Sequence, residues 1–484
     1  MSFETRWEYD SWNRVNKIVY PDADTVFYTY DQAGKLFSVY SHKQLEDQLQ
    51  VIPIIDTIRY DKFERREYMS YGNGTRMRYS YDPNRGFLTG LTSLTSQDEY
   101  MQNNFYVYDQ VGNLASQENT AGSTSGGFGG ASDFSYTYDN LYRLTAAEGS
   151  WQSGTKGSFN MNLSMTYGPS GKITSKTQTA EILDAGENMS MMDISHTYVY
   201  NEPQQPNTIR EIQGIGHNQS FEWDANGNMV YHHDEGNSIT QRLCWDEINR
   251  LIATSDGSQI SHYIYDANGE RAMKYNGTLS KIQQNKYTLV DCANMGQFTY
   301  YINPLMTVST QEYTKHYFIE GQRVMSKIGA GMANNLMDME DGAYDYIMSA
   351  LSDSIKNQLA ASFECLSLDG IAVFNTSIEP ILEMANQNNH EFLRYFYHPD
   401  HLGSSSFITD ATGEPTQHLE YLPFGELFIE ERSTWNTPYK FSGKELDDET
   451  GYSYFGARYY DPNISIWGFL KKAQSLFVTV CVTV

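Results

Sequence analysis

The sequence is short of positive charge, of proline, of cysteine and of long apolar runs. Only 34 Lys and Arg stand against 60 Asp and Glu, a formal net charge of −26. No basic block occurs anywhere, so phosphate neutralisation has no source and nucleic acid is disfavoured as a partner. Adsorption to anionic lipid is disfavoured on the same ground. The four cysteines, Cys244, Cys292, Cys365 and Cys481, form no CxxC pair and no zinc spacing. They read as scattered, unpaired thiols, and no metal, redox centre or other cofactor is expected. No run approaches the roughly 20 apolar residues of a membrane helix. The N-terminal stretch MSFETRWEYDSWNR has neither the apolar core nor the cleavage site of a Sec signal peptide. Export would use another signal, or one on a longer parent chain.

What is abundant is tyrosine and glycine, 38 and 37 residues. Tyrosine at this level favours strands, because aromatic side chains suit a pleated, half-buried surface. One phrase recurs: aromatic, any residue, aromatic, Asp, two residues, Gly, any residue, apolar. It runs through Tyr28, Tyr30, Asp31 and Gly34 to Leu36, and through Tyr106, Tyr108, Asp109 and Gly112 to Leu114. It returns with Phe221, Trp223, Asp224 and Gly227, and again with Tyr263, Tyr265, Asp266 and Gly269. Degenerate copies lie at Tyr79–Asp82, Tyr136–Asp139, Met165–Tyr167, Cys244–Asp246 and His316–Gly321. Residues two apart in a strand share a face, so each aromatic pair makes one wall surface. Asp opens a type I turn by accepting backbone N–H groups two or three residues on, and Gly takes the positive φ that closes it. Each unit is therefore an aromatic strand, a tight turn and a return strand, and many such hairpins must pair edge to edge. The glycine-rich Ala121–Gly130 is read as a surface loop.

Between about residues 329 and 390 the phrase lapses. Ile347, Leu351, Ile355 and Leu359 step by four, with Met348 and Phe363 on the adjoining stripe. That spacing predicts an amphipathic helix over Ala343–Glu364, in an insertion packed on the sheet. A coil or a partner-binding helix is the alternative.

The phrase resembles the YD (Rhs) repeat, and Tyr397–Pro462 closely resembles the Rhs-repeat-associated core domain. The matching residues are Asp400, His401 and Gly403; Asp410; Pro423, Phe424 and Gly425; Gly443, Asp447 and Gly451; and Arg458, Tyr459, Tyr460, Asp461 and Pro462. The resemblance covers most of the chain and implies an all-β fold. YD-repeat hairpins would form a curved, spiralling, shell-like sheet with one mostly helical insertion. In Rhs proteins, Tc-toxin C subunits and, more distantly, teneurins, such repeats wind into a hollow shell. In bacterial members the shell encloses a C-terminal polymorphic toxin, the core domain plugs it, and several relatives cleave the chain behind it as an intramolecular aspartyl protease. The expected domains are 1–328 (repeat region), 329–390 (partly helical insertion), 391–467 (core domain) and 468–484 (atypical tail).

After Trp467 the family's second Asp-Pro and its cleavage segment do not follow, which reads as truncation or a frame shift; no catalytic aspartate is carried over. The expected function is a non-catalytic structural shell or shell fragment of a polymorphic-toxin system. Its partner would be a C-terminal toxin domain or parent-chain segments, and the resemblance implies a secreted or cell-surface place. Self-cleavage and surface adhesion are the alternative functions. Asp447, Asp448 and Glu449 read as a solvated turn, and His398, Asp400 and His401 as a capped turn before Gly403. Arg458 reads as a buried ion pair or a stack on tyrosine, and His232 and His233 as exposed.

Overall fold

The computed structural model describes residues 4–330 and 393–467, apart from 46–47, 155–156, 185–186, 191–192, 202, 216–217, 285–286, 310–311, 434 and 457, together with 357–358, 360–368, 371–373 and 391. Among these residues, 32 strands belong to one sheet and four to a second, smaller one. The all-β expectation holds. Nearly every strand pairs antiparallel with the next in sequence, from Arg6–Tyr9 against Val15–Val19 to Pro415–Tyr421 against Leu427–Arg432. No ladder among the described residues joins these two ends, so the sheet is open.

The turn phrase folds through specific hydrogen bonds. Asp31 N–H donates to Lys35 O, Gly34 N–H donates to Asp31 O, and Lys35 N–H donates to Asp31 Oδ1 at 2.9 Å. Asp109 Oδ1 accepts three N–H groups, from Val111, Gly112 and Asn113. The carboxylate thus reaches as far as the fourth residue. Gly112 sits at φ +102° with the Phe87 ring 3.1 Å from where a Cβ would stand, so glycine is required there for backbone and for space. The ladder bulges at the second aromatic, beside Tyr30, Trp223 and Tyr265.

That second aromatic couples one hairpin to the preceding one. Tyr30 Oη donates to Val15 O, Tyr81 to Arg66 O, Tyr138 to Leu114 O, Tyr167 to Leu144 O and Tyr265 to Leu251 O. Trp223 and Trp245 make the same bond through Nε1, to Ile209 O and Met229 O. Each acceptor lies on a strand of the preceding hairpin. A polar-tipped aromatic suits the position because it buries a ring and still satisfies a bulge carbonyl.

The strip curls so that late strands lie face to face on early ones. Tyr20 Oη bonds His316 O, Tyr71 Oη bonds Tyr397 O, Gln102 Nε2 bonds Pro399 O and Gly129 N–H bonds Glu431 Oε2, at sequence separations of 296, 326, 297 and 302. One apolar cluster spans both layers, joining Ile18, Val26, Ile54 and Met69 to Tyr317, Val324 and Phe396. Beside it a buried ionic seam joins Lys315 to Asp22, Asp24 and Glu391, and Lys327 to Asp24 and Glu391. Burial alone would raise the Asp24 carboxyl, but Lys315 and Lys327 hold it at about 2.

Three expectations are corrected. Cys244 and Cys365 form a disulfide across 121 residues; the two are remote in sequence, so spacing carried no sign of it. Ala121–Gly130 is not simply surface, because Gly129 and Gly130 are buried and Glu431 pins the former. His232 is half-buried and stacked on Phe221, with ring centroids 4.6 Å apart. Most of the expected helix Ala343–Glu364, including Ile347, Met348, Leu351, Ile355 and Leu359, lies outside the described residues. Residues 360–365 are helical, and Phe363 packs with Cys244, Tyr275 and Phe298.

Candidate functional site

The small sheet is built from Glu445–Asp447, Tyr452–Tyr454, Tyr459–Asp461 and Ile466–Trp467. Its strands are two or three residues long, too short to stand alone. They are held instead by the wall, and the segment crosses that wall in the reverse direction. Tyr301 Oη bonds Glu445, Arg271 bonds Asp447, Tyr263 Oη bonds Glu449 and Tyr452 Oη bonds Gln241. Tyr198 Oη then bonds Ile464 O, and Lys176 bonds Ser465. Later residues of the block therefore meet earlier strands of the wall.

Asp447 is the centre of this interface, not part of a solvated turn. Its side chain is fully buried, 2.7 Å from Arg271 Nη1 and 2.9 Å from Lys274 Nζ. Burial works against its charge, but the two cations outweigh that and hold the carboxyl below its ordinary range. Arg271 also pairs with Glu445 and lies over the Tyr454 ring, and Lys274 also pairs with Glu449. A carboxylate bound by two cations in this way is not free to act as an acid or base. The sequence missed Arg271 and Lys274 because they lie in a return strand more than 170 residues before their partner.

At the block's far end, Lys176 pairs with Glu426 and lies over Phe424. Asp461 is buried close by and accepts the Asn463 N–H at 3.0 Å. Burial pushes its carboxyl up to about 7. Tyr460 Oη donates to Phe424 O, and Tyr459 Oη meets Tyr265 Oη at 3.1 Å. Arg458 stacks over Trp467, 4.0 Å from the ring, and not over a tyrosine. Pro423 and Gly425 close the turn before Glu426, where a Cβ on Gly425 would stand 2.6 Å from the Phe441 ring. Pro462 O accepts the Ser465 N–H, and Gly451 N–H donates to Asp447 O.

The remaining motif residues sit at turns. Asp400 Oδ1 accepts the Leu402 and Ser404 N–H groups, capping the turn that ends at Gly403. Burial pushes the Asp400 carboxyl up to about 6. Asp410 caps the next turn through the Thr412 N–H. His401 packs against Tyr106 with the rings tilted by 51°, and both its ring nitrogens lack a hydrogen-bond partner. The Asp400–Gly403 turn and Gly443 line a cavity of 810 Å³ that also takes in Arg66, Arg323 and Tyr439. Among the described residues no His, Cys, Asp and Glu cluster could hold a metal.

The repeat residues missed by reading the sequence are arginines. Asp10–Arg14, Asp61–Arg65, Asp139–Arg143 and Asp246–Arg250 each form an ion pair within one turn. Asn13, Glu64, Tyr142 and Asn249 take the positive φ there, at 60°, 67°, 63° and 64°. Arg14 lies over Tyr30, Arg65 over Tyr81, Arg143 over Tyr167 and Arg250 over Tyr265. The guanidinium thus ties the Asp of one turn to an aromatic of the next hairpin, and Asp-x-x-x-Arg was the signal available.

A family model described as Teneurin YD-shell matches residues 381–477. The toxin subunit YenC1 of Yersinia entomophaga is 24% identical over 460 residues, 90% of this chain and 41% of that protein. Double-stranded DNA deaminase toxin A of Burkholderia cenocepacia is 23% identical over 252 residues, 50% of this chain and 14% of that one. The chain thus spans about two fifths or less of these relatives' lengths. The solved structure TcdB2-TccC3-TEV aligns with a TM-score of 0.68 at 18% identity, over 98% of this chain and 20% of that one. The Photorhabdus luminescens Tc holotoxin pore aligns at 0.64 and 19%, over 97% and 20%. The chain thus has the fold of these Tc-toxin structures and is similar in sequence to YD-repeat proteins of the toxin type.

Proposed function

We propose that the chain is a non-catalytic wall-and-closure section of a shell that shelters a polypeptide in a toxin system. The observation that carries this is the reverse-running block, which ties wall strands from Ile173–Asp184 to Tyr287–Asn303 through buried polar anchors. Such a belt fixes curvature and closes an end without any reacting group. The two layers of the curl are packed against each other, so room for a folded cargo belongs to a longer assembly, with a parent chain or another toxin subunit supplying more wall. The core block would then lie between that wall and whatever follows it.

A marginally stable reporter domain fused after the block tests this in the full chain. Slow protease cleavage of the reporter, accelerated when Asp447→Asn leaves Arg271 and Lys274 under-compensated, supports the reading. Equal cleavage in both chains sinks it. A discrete C-terminal fragment released at neutral pH, and lost in Asp461→Asn, would replace the non-catalytic reading with self-cleavage.

A further inference from the structure

We propose that the segment carrying Phe363, Cys365 and Leu366 is a redox-released strap, held on the wall by the Cys244–Cys365 bond and freed by a dithiol reductant. The topology permits release with only the three-residue strand Ile371–Val373 lost from the sheet. The connection leaves after Gln322–Ala330 and returns at Leu393–Pro399, and these two strands pair directly with each other, Ile328 opposite Leu393. The ladder therefore does not depend on what lies between them.

The strap covers the face of the wall opposite the core block. Leu243 packs with Tyr452, Tyr459 and Ile464 of the block, whereas its neighbour Cys244 packs with Phe363 and Leu366. Consecutive residues of a strand point to opposite faces, so the wall is covered on both sides here. Besides the disulfide, the strap is held among the described residues by Phe363, Leu366, Leu368 and the three-residue parallel strand Ile371–Val373. That apolar grip is small, and the covalent bond is the main tie. Access is asymmetric: Cys244 is buried at 4% exposure, and Cys365 is exposed.

A thiolate of the reductant attacks Cys365 Sγ and forms a mixed disulfide, while Cys244 leaves with the electron pair and takes a proton. The reductant's second thiol then displaces Cys365 as a thiol and closes its own disulfide. Two electrons and two protons pass to the protein, and the dithiol is oxidised. The strap lifts, and Ala253, Ile260, Met273, Tyr275 and Phe298 lose their cover. The face is closed in an oxidising compartment and open in a reducing one.

Hydrogen exchange on the purified full chain, before and after dithiothreitol, tests this, with alkylation in denaturant counting thiols. The oxidised chain is expected to show two alkylatable thiols of its four cysteines. Reduction is expected to speed exchange about tenfold or more in residues 360–368 and Leu289–Asp291, with Thr25–Tyr30 unchanged. Cys365→Ser is expected to show the reduced pattern without reductant; if that variant does not fold, the wild-type chain reduced after folding carries the test. Four free thiols before reduction overturn the proposal, as does unchanged protection of 360–368 after complete reduction.

Discussion

At the scale of single residues, the repeat works because each recurring side chain of the phrase satisfies a group that the bulged turn leaves open. Tyr167 is a clear case: its hydroxyl donates to Leu144 O at 2.8 Å and its ring lies under Arg143. Burial pushes the hydroxyl up to about 12, so it remains a donor at all ordinary pH. Tyr167→Phe keeps the ring and strands the carbonyl, and is expected to cost about 1–2 kcal/mol in urea unfolding. Asp139→Ala removes the acceptor for the Leu141 and Arg143 N–H groups and also the Arg143 ion pair. It is expected to cost about 1–3 kcal/mol, and Asp139→Asn less, since the amide oxygen still accepts. Asp461 sets a pH dependence. Its value in the folded chain, about 7, lies above that of the unfolded chain, so the native state binds the extra proton. This group's stabilising contribution is complete below the unfolded value and is lost as pH rises through about 7. Asp461→Asn keeps an acceptor for Asn463, removes that slope, and is expected to raise stability at pH 8 by up to about 4 kcal/mol relative to pH 4. Parallel denaturation curves for variant and parent across this range would refute it.

At the scale of elements, the four short strands of the block are held by what they touch. Asp447→Asn leaves Arg271 and Lys274 under-compensated in a buried site and is expected to cost about 3–5 kcal/mol, read as loss of exchange protection in Tyr452–Asp461. Arg271→Met with Asp447→Leu removes charge of both signs and is expected to recover part of that loss. Hairpins and turns were legible in the sequence because they are local: Asp31, Gly34 and the alternating tyrosines carry their own geometry. The block was legible as a unit through Gly425, Gly451 and Pro462, but its anchorage was not. Asp447 followed by two more acids looks like a surface turn until a strand remote in sequence brings Arg271 and Lys274 to it. The same holds for Cys244 and Cys365, whose meeting depends on a connection that returns to its own edge. Periodicity encodes which face a side chain takes, and says nothing about which distant element will cover that face.

At the scale of the whole molecule, two devices tie together parts of the chain far apart in sequence. The Lys315 seam fastens the first layer to the second. Asp24→Asn leaves Lys315 and Lys327 short of charge, and is expected to loosen Glu312–Ile319 in hydrogen exchange at a cost of about 3 kcal/mol or more. The disulfide, spanning 121 residues, constrains the unfolded chain by about 5 kcal/mol on the loop-entropy account. The reversed course of the block has a consequence for how the protein is made. Its partners, from Lys176 to Tyr301, are all synthesised before it, and its own apolar cluster is small, centred on Phe441, Tyr460 and Trp467. Its docking groove exists only where those hairpins have already paired in register. A ribosome that has just released Trp467 therefore hands over an inspection step: a correctly wound wall captures the block at once, whereas a mis-registered one leaves its tyrosines exposed to proteases. A segment made after its wall acts as the check on the register of the hairpins that hold it.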